Sequence, residues 1–290
     1  MKKTLAYLKE KKELVDLQLQ LYLKNDELLL NTLFEAIDYS LFSGGKRIRP
    51  LFCFLVGELF DVPEENLIPL ACSLEMIHTA SLIMDDLPHM DNADIRRGKA
   101  ANHVVYGQDV AALATIGLLT KAYEVVLRDP VLPDAKKVCV VSRLARAVGI
   151  NGMVGGQFVD LKLSSNSMEY ATLEFIHTHK TASLFVATGI TSAIIGNATE
   201  DEIKTIESYA KNLGFAFQIL DDLLDLNGST KDMGKSVNSD NGNFAILYGE
   251  EKSKQMIQEC TNNAFDAIKI FGGKNKKLIA LGQMLLKRKS

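Results

Sequence analysis

Apolar residues recur every three or four positions along most of this chain, which is the spacing of one face of an α-helix. Leu29, Leu33 and Ile37 form one such stripe. All six prolines lie at or before Pro133, so the rest of the chain lacks the strongest helix breaker. We find no strand-like alternation of apolar and polar residues and no glycine-rich hairpin signal. The pattern therefore predicts an all-α protein.

The apolar stripes, and the interruptions that separate them, predict ten helices in a single large bundle. No linker or compositional break divides the chain, so residues 1–290 are expected to form one domain. The longest uncharged stretch, 181–199, is interrupted by serine, threonine and glycine, which favours a buried helix over a membrane span. The predicted helices are residues 4–23, 27–42, 50–60, 64–86, 104–128, 134–160, 169–196, 200–226, 244–270 and 274–288.

Composition excludes some functions without selecting one. The net charge of −3 gives no basic face of the kind that binds nucleic acid, so any phosphate chemistry must rely on local cations. The four cysteines are scattered, with no CxxC pair. The N-terminus has no uninterrupted apolar core of signal-peptide type. We therefore expect reduced thiols and a cytoplasmic protein.

A first cluster of acids, DDLPHMD at 85–91, follows an apolar helix. Asp85 and Asp91 are six residues apart, and an unbroken helix would point them about 120° away from each other. Pro88 removes this problem, because the residue before a proline is pushed out of helical conformation. The chain is therefore expected to turn and to bring Asp91 back beside Asp85.

A second cluster, DDLLD at 221–225, also stands where an apolar helix ends. Asp221 and Asp225 are four residues apart and so share one helix face. Carboxylates without cysteine or histidine partners favour Mg²⁺, which keeps several waters and is completed by substrate phosphates. Calcium is the alternative ion, but no EF-hand loop is present.

Basic residues accompany both acid clusters. A lone histidine on an apolar helix is usually a core residue, but His78 lies two turns before Asp85 and faces the same expected opening as two basic segments. Arginine forks suit the bidentate binding of phosphate oxygens, and helix N-termini attract anions. The cations are Lys46, Arg47 and Arg49 in GGKRIRP, and Arg96, Arg97 and Lys99 after the first acid cluster.

These motifs, in this order, resemble those of the trans-isoprenyl diphosphate synthases. The resemblance spans residues 40–249 and includes GMVGGQFVDL at 152–161. It implies an all-α homodimer built around a large central cavity, which joins isopentenyl diphosphate to an allylic diphosphate and releases diphosphate. The motifs are SGGKRIRP, then DDLPHMD with RRGK, then HTHKTASL, then FQILDDLLD with GK at 234–235.

The resemblance also implies roles for individual residues, with the departing diphosphate as the base. The expected ligands of three Mg²⁺ ions are Asp85, Asp91 and Asp221, supported through water and hydrogen bonds by Asp86, Asp222 and Asp225. The expected allylic diphosphate site is Arg96, Lys180 and Lys235, with Thr181 and Gln218 stabilising the carbocation. The expected isopentenyl diphosphate site is Lys46, Arg49, His78 and Arg97.

The sequence departs from the family pattern at several positions. Met84 stands where the family usually has histidine, Ala93 replaces a common aspartate, and Ala100 and Ala101 replace proline and threonine. None of these removes a metal or phosphate ligand. The segment 238–249 is shortened and lacks a second family lysine that helps to close a lid over diphosphate, so weaker binding or slower closure is expected.

Other function classes fit the residues less well. A terpene cyclase needs one diphosphate site, whereas this chain offers two sets of cations. Non-catalytic prenyltransferase subunits typically lose acids from a cluster, and here both clusters are intact. A helical phosphohydrolase would need His–Asp pairs that we do not find.

The length of the product depends on the residues below the first acid cluster. Family members that stop at fifteen carbons often place an aromatic ring four or five residues before the first aspartate. Here those residues are Ser81 and Ala80, and the next bulky candidates, Met76 and Ile77, lie about one turn deeper. We therefore favour a C20 product, geranylgeranyl diphosphate, with C15 farnesyl diphosphate as the alternative.

Overall fold

The computed structural model describes residues 2–162, 169–227 and 243–287, and helices account for most of them. The prediction of an all-α fold is confirmed. In chain order the helices are α1 (Lys2–Tyr22), α2 (Asn31–Leu41), α3 (Ile48–Leu59), α4 (Ile68–Asp85), α5 (Asn102–Tyr106), α6 (Gln108–Leu127), α7 (Asp134–Val148), α8 (Met153–Lys162), α9 (Tyr170–Ile176), α10 (Ser183–Ile195), α11 (Glu200–Asn227), α12 (Phe244–Tyr248), α13 (Glu250–Ala267) and α14 (Lys276–Leu286).

A small β-hairpin between α4 and α5 corrects the expectation that the chain contains no hairpin. Strands β1 (Ile95–Arg96) and β2 (Lys99–Ala100) pair in antiparallel register. The turn between them is Arg97–Gly98, with φ of +53° and +75°. Positive φ at both central residues is the signature of a type I′ hairpin turn, which asparagine or aspartate followed by glycine usually announces. Two-residue strands are too short to show alternation, so the sequence pattern missed them.

Several predicted helices are divided in the structure. The predicted helix over 134–160 becomes α7 and α8, and the one over 244–270 breaks at Gly249, whose φ is +82°. The predicted helix over 169–196 contains a six-residue π-helix, His177–Ala182, between α9 and α10. π-Helical turns are rare and often lie at functional sites. The spacing of apolar residues does not predict these breaks, because the apolar residues keep their helical spacing on both sides of each break.

Two large apolar clusters form the core. One surrounds α4 and α6 and contains Leu74 and Leu118, and the other joins α3, α10, α11 and α14. In the second cluster the rings of Phe52 and Phe185 stack at 4.3 Å. Of the sequence stripes, Ile37 is buried as expected, but Leu29 lies in a 3₁₀ turn before α2 and is 92% exposed. The acid clusters at the ends of α4 and α11 are thus supported by packed cores.

Three described helical stretches are long and apolar enough to cross a membrane by length and composition. The fold buries 72% of the apolar window in Glu64–Asp85, but only 39% in Gln108–Leu127 and 22% in Asp134–Lys162. The first is therefore a core helix, whereas the other two leave apolar side chains at the surface. Residues 181–199, read from the sequence as a buried helix, include α10, which is buried over most of its length.

Candidate active site

A cavity of about 890 Å³ lies where α4, α11, the hairpin and the π-helix meet. Glu75, Asp160 and His177, which the sequence interpretation did not select, also line it. Lys235 falls outside the described residues. Asp86, proposed to support the metal ions, does not line the cavity. The other residues proposed to bind metal or diphosphate or to stabilise the carbocation all line this one cavity: Lys46, Arg49, His78, Asp85, Asp91, Arg96, Arg97, Lys180, Thr181, Gln218 and Asp221.

The turn after α4 confirms the predicted return of Asp91 to Asp85. The helix ends at Asp85. The amide of Leu87 then donates a 3.2 Å hydrogen bond to the carbonyl of Met84, three residues earlier, which makes a turn tighter than an α-helical one. The amide of Asp91 then donates to the carbonyl of Asp85 at 2.9 Å. The break at Pro88 thereby brings two carboxylates to one edge of the cavity.

The charges around Asp85 suit a bound cation. Burial raises the pKa of Asp85 to about 6, Lys180 opposes this shift, and the neighbouring charge of Asp91 adds to it. The carboxylate of Asp91 accepts a 3.3 Å hydrogen bond from the side chain of Gln157 on α8. A buried carboxylate beside a second negative charge is stabilised in its ionised form when a metal ion binds next to it.

A magnesium ion fits this donor set because it needs few protein ligands. Within the described residues, no group of three or more histidine, cysteine, aspartate or glutamate side chains is close enough to hold an ion alone. Mg²⁺ at phosphate sites is commonly bound by one or two carboxylates and completed by water and substrate phosphates. Asp85, Asp91 and Asp221 supply such oxygens on the cavity wall.

Asp86 turns away from its neighbour Asp85 and fixes the hairpin. Its buried carboxylate accepts hydrogen bonds from Nε of Arg96 at 2.9 and 3.0 Å and also pairs with Nη2. Burial acts to lower the pKa of Arg96, but these hydrogen bonds and charges raise it above its ordinary value. Arg96 therefore remains a guanidinium cation at the edge of the first acid cluster.

The π-helix carries Lys180 and Thr181 to the cavity. Lys180 donates a 2.6 Å hydrogen bond to Asp160 on α8. Burial acts to lower the pKa of Lys180, but the carboxylates of Asp160, Asp91 and Asp85 raise it, so the ammonium is stabilised. Gly156 allows the approach, since a Cβ there would lie 2.3 Å from the backbone nitrogen of Lys180.

Asp222, in the second acid cluster, points into the protein and is 3% exposed. Its carboxylate accepts hydrogen bonds from the side chain of Gln218 at 3.1 Å and the amide of Phe244 at 2.7 Å, and Nε2 of His177 lies 3.3 Å away. Asp222 thus connects α11 to the π-helix and to α12. Asp222 still reaches the cavity lining, together with Asp221 and Asp225.

The cations assigned to the second diphosphate lie around His78. Burial lowers the pKa of His78 well below its ordinary value, and the charges of Arg49 and Arg97 lower it further, so the imidazole is neutral at pH 7. Burial also lowers the pKa of Arg49, whose Nε has no hydrogen-bond partner among the described residues. Nη1 of Arg97 donates to the carbonyl of Gly44 at 2.6 Å, which ties the hairpin to the GGKRIRP segment.

Two expectations about α4 and α3 need correction. Arg47, grouped with the other cations of GGKRIRP, is buried and its guanidinium is held by protein carboxylates. Ala80, expected below the metals, packs in the core with Met76 and Ile77. Ser81 is partly exposed and its hydroxyl donates to the carbonyl of His78. The α4 residues that line the cavity are Glu75, His78, Leu82 and Asp85.

Sequence reasoning missed three side chains that hold others in place. Gln157 and Asp160 are three apart on α8, and they contact Asp91 and Lys180. They lie in GMVGGQFVDL, a segment that was recognised as family-like but given no role. His177 opens the HTHKTASL motif and reaches Asp222. Each of these residues is a polar side chain within a family motif, and that is the sequence feature from which its role could have been inferred.

Comparison with known proteins agrees with this site. A family model described as polyprenyl synthetase matches residues 30–270. The chain is 42% identical over 264 residues to geranylgeranyl pyrophosphate synthase 3, chloroplastic, of Arabidopsis thaliana, covering 88% of this chain and 73% of that protein.

Two solved structures have the same fold over nearly their whole length. Geranyltransferase from Legionella pneumophila is 33% identical with a TM-score of 0.90, covering 99% of this chain and 98% of that one. Geranyltransferase from Helicobacter pylori, complexed with magnesium and isoprenyl diphosphate, is 27% identical with a TM-score of 0.87, covering 98% of each chain.

Proposed function

Because this chain belongs to the polyprenyl synthetase family and is a prenyltransferase, we propose that it elongates an allylic diphosphate with isopentenyl diphosphate to a C20 product. The reaction is a head-to-tail condensation that releases diphosphate. One observation carries the proposal: the cavity brings together two aspartate clusters and two separate groups of cations. A site of this composition can hold two diphosphates at once.

The allylic diphosphate would bind on the aspartate side. Asp85, Asp91 and Asp221 would hold three Mg²⁺ ions, which when bound stabilise the negative charge of the leaving diphosphate. Lys180 is a preorganised cation for the same charge, because Asp160 holds its ammonium beside the first aspartate cluster. Arg96, which is held by Asp86, is a second preorganised cation.

The carbon–oxygen bond of the allylic substrate breaks, and its electron pair leaves with the diphosphate. The resulting cation needs dipoles rather than a nucleophile. The carboxylate of Asp222 accepts a hydrogen bond from the side-chain amide nitrogen of Gln218. The side-chain carbonyl oxygen of Gln218 therefore points away from Asp222, where it can face a cation. The hydroxyl of Thr181 lies in the same cavity wall.

Isopentenyl diphosphate would bind to Lys46, Arg49, Arg97 and His78. The unpartnered Nε of Arg49 is a donor for a phosphate oxygen, and neutral His78 can donate without adding charge. The double bond of isopentenyl diphosphate attacks the allylic cation and forms the new carbon–carbon bond. A proton is then lost from the adjacent carbon, and the departing diphosphate accepts it.

The C20 product is supported by the geranylgeranyl synthase to which the chain is similar. Ala80 and Ser81 do not line the cavity themselves, but they adjoin Leu82, which does, and their side chains are small. No aromatic ring stands at either position to stop a fifteen-carbon chain. Farnesyl diphosphate remains the alternative product.

We further propose a homodimer in the cytoplasm. Exposed apolar side chains follow a helical spacing on α6, at Leu113 and Ile116, and on α8, at Val154 and Phe158. Exposed apolar helix faces of this kind commonly mark a protein interface, and a second copy would cover them. The buried free cysteines support a reducing compartment. Light scattering of the purified chain would give a dimer mass.

A single assay tests the reaction. The protein is incubated with Mg²⁺, labelled isopentenyl diphosphate and each of dimethylallyl, geranyl and farnesyl diphosphate, and the products are separated by chain length. We expect C20 from every primer. Only C15 with excess isopentenyl diphosphate would contradict the product length. Consumption of the allylic substrate without isopentenyl diphosphate would favour a cyclase, and no consumption would favour a non-catalytic subunit.

A further inference from the structure

Arg47 lies between two residues of the isopentenyl diphosphate site, yet its own donors point into the protein. Its side chain is 2% exposed and makes three contacts of 2.7 Å. Nε donates to Asp16, Nη1 donates to Glu75, and Nη2 donates to the carbonyl of Leu41. Arg47 is among the residues that line the cavity, but each of its three guanidinium nitrogens donates to a protein group, so we do not assign it to a diphosphate.

The three partners of Arg47 belong to three different helices. Asp16 is on α1, Leu41 ends α2 and Glu75 is on α4, while Arg47 itself precedes α3. Arg47 also has left-handed backbone with φ of +52°, a conformation that is strained for a residue with a Cβ. The three hydrogen bonds hold this turn. The chain enters α3 directly after it, with Lys46 and Arg49 on either side.

Glu75 is the acid that faces this group of cations. Its side chain is 2% exposed, it lines the cavity, and it lies one turn before His78 on α4. Burial acts to lower the pKa of both Arg49 and Arg97, and the charge of Glu75 opposes that shift in each. Glu75 is thus a buried counter-ion for Arg47 and for its neighbours.

We propose that Arg47 and Glu75 are positioning residues for the isopentenyl diphosphate site. Together they hold the turn before α3, so that Lys46 and Arg49 reach the same diphosphate as His78. This role rests on the proposed function of the cavity. Neither residue touches the substrate, and their effect is confined to one of the two diphosphate sites.

The direction in which Glu75→Gln changes the affinity for isopentenyl diphosphate shows whether Glu75 acts by positioning the cations or only by its charge. Glu75→Gln keeps the shape and removes a negative charge near the anion site. If local potential alone governed binding, the diphosphate would bind more tightly. If Glu75 positions the cations, the variant binds isopentenyl diphosphate about tenfold more weakly, because Arg47 loses its anchor.

The experiment measures the dissociation constant of isopentenyl diphosphate by calorimetry, without Mg²⁺ or allylic substrate, together with KM for each substrate. Glu75→Gln and Arg47→Gln should each raise the isopentenyl values about tenfold and leave the allylic KM within twofold. The double variant should be no worse than either single variant, because the two residues act as a unit. Arg47→Lys, which keeps the charge, should recover part of the loss and serves if Arg47→Gln does not fold.

Lys11→Gln is the matched control. Lys11 is a buried cation that pairs α1 with Glu64, outside the cavity lining. It should lower the thermal unfolding midpoint without changing either KM. Tighter or unchanged binding in Glu75→Gln, or equal effects on both substrates, would overturn the inference. A wild type that binds no isopentenyl diphosphate would instead overturn the proposed function on which the inference rests.

Discussion

Lys180 donates a 2.6 Å hydrogen bond to Asp160, which links the π-helix to α8. This contact fixes the ammonium at the cavity wall shared by Asp85 and Asp91. Asp160→Asn should lower kcat about tenfold, because Lys180 keeps its charge but loses the partner that holds it. Asp201→Asn is the control, since it breaks a Lys–Asp pair with Lys204 that lies on the exposed surface of α11. Equal kcat in both variants would show that the contact is only structural.

Loss of a metal ligand should have a larger effect. Asp85→Ala and Asp221→Ala are each expected to reduce kcat by about 10²–10³-fold or more, since each removes preorganised stabilisation of the leaving diphosphate. Steady-state kinetics at saturating Mg²⁺ would measure this. Either variant retaining more than half of the wild-type kcat would refute the metal assignment.

Arg49→Ala should separate the two substrates. Its guanidinium carries an unpartnered buried donor beside His78, so its loss should raise the KM for isopentenyl diphosphate far more than that for the allylic diphosphate. A hydrogen bond to a charged group contributes about 1.5–3 kcal/mol, which corresponds to roughly ten- to a hundredfold. Parallel increases in both KM values would mean that the cations are not divided between two sites.

Product length should respond to a ring placed on α4 below Asp85. Ser81 is partly exposed and directly precedes Leu82, which lines the cavity, so the ring in Ser81→Phe can be accommodated next to the cavity, whereas Ala80→Phe must enlarge a buried core position. We expect Ser81→Phe to shift the product from C20 towards C15, as chromatography of the prenyl alcohols would show. Ser81→Val adds bulk without a ring and is the control. An unchanged C20 product in Ser81→Phe would place the chain-length limit on another helix.

His78 should make stability depend on pH. Its native pKa lies well below the ordinary value of 6.5, so between these two values the unfolded chain binds a proton that the native protein does not. The contribution of His78 to the free energy of unfolding should therefore be greatest above pH 6.5 and fall as the pH is lowered. Denaturant unfolding of the wild type and His78→Gln between pH 5 and pH 8 would measure this. The two pH profiles should differ below about pH 6.5 and run parallel above it.

Much of the fold follows from local patterns in the sequence. The period of the apolar residues predicts the helices, and Pro88 predicts the turn that brings Asp91 to Asp85. The hairpin at Arg97–Gly98 was missed because its strands are two residues long. A repeating sequence pattern can predict an element only when that element extends over several residues, so the helices were predicted and the short strands were not.

The site was predictable where a side chain belongs to a family motif, and less so where its direction matters. Arg47 and Arg49 are two apart in one motif, but three hydrogen bonds turn Arg47 into the protein. Asp85 and Asp86 likewise differ, because Asp86 turns to Arg96. Helical spacing alone does not give these directions, which depend on contacts between distant helices.

Asp222, in the second acid cluster, is also bonded to the residue that precedes α12. Asn243 donates from its side chain to the carbonyl of Asp222 at 2.9 Å, which holds these two positions of the chain together. Closing a loop between two fixed ends costs only about 0.6 kcal/mol more for each doubling of its length. A change in the number of residues between Asp222 and Asn243 should therefore cost little in loop-closure entropy.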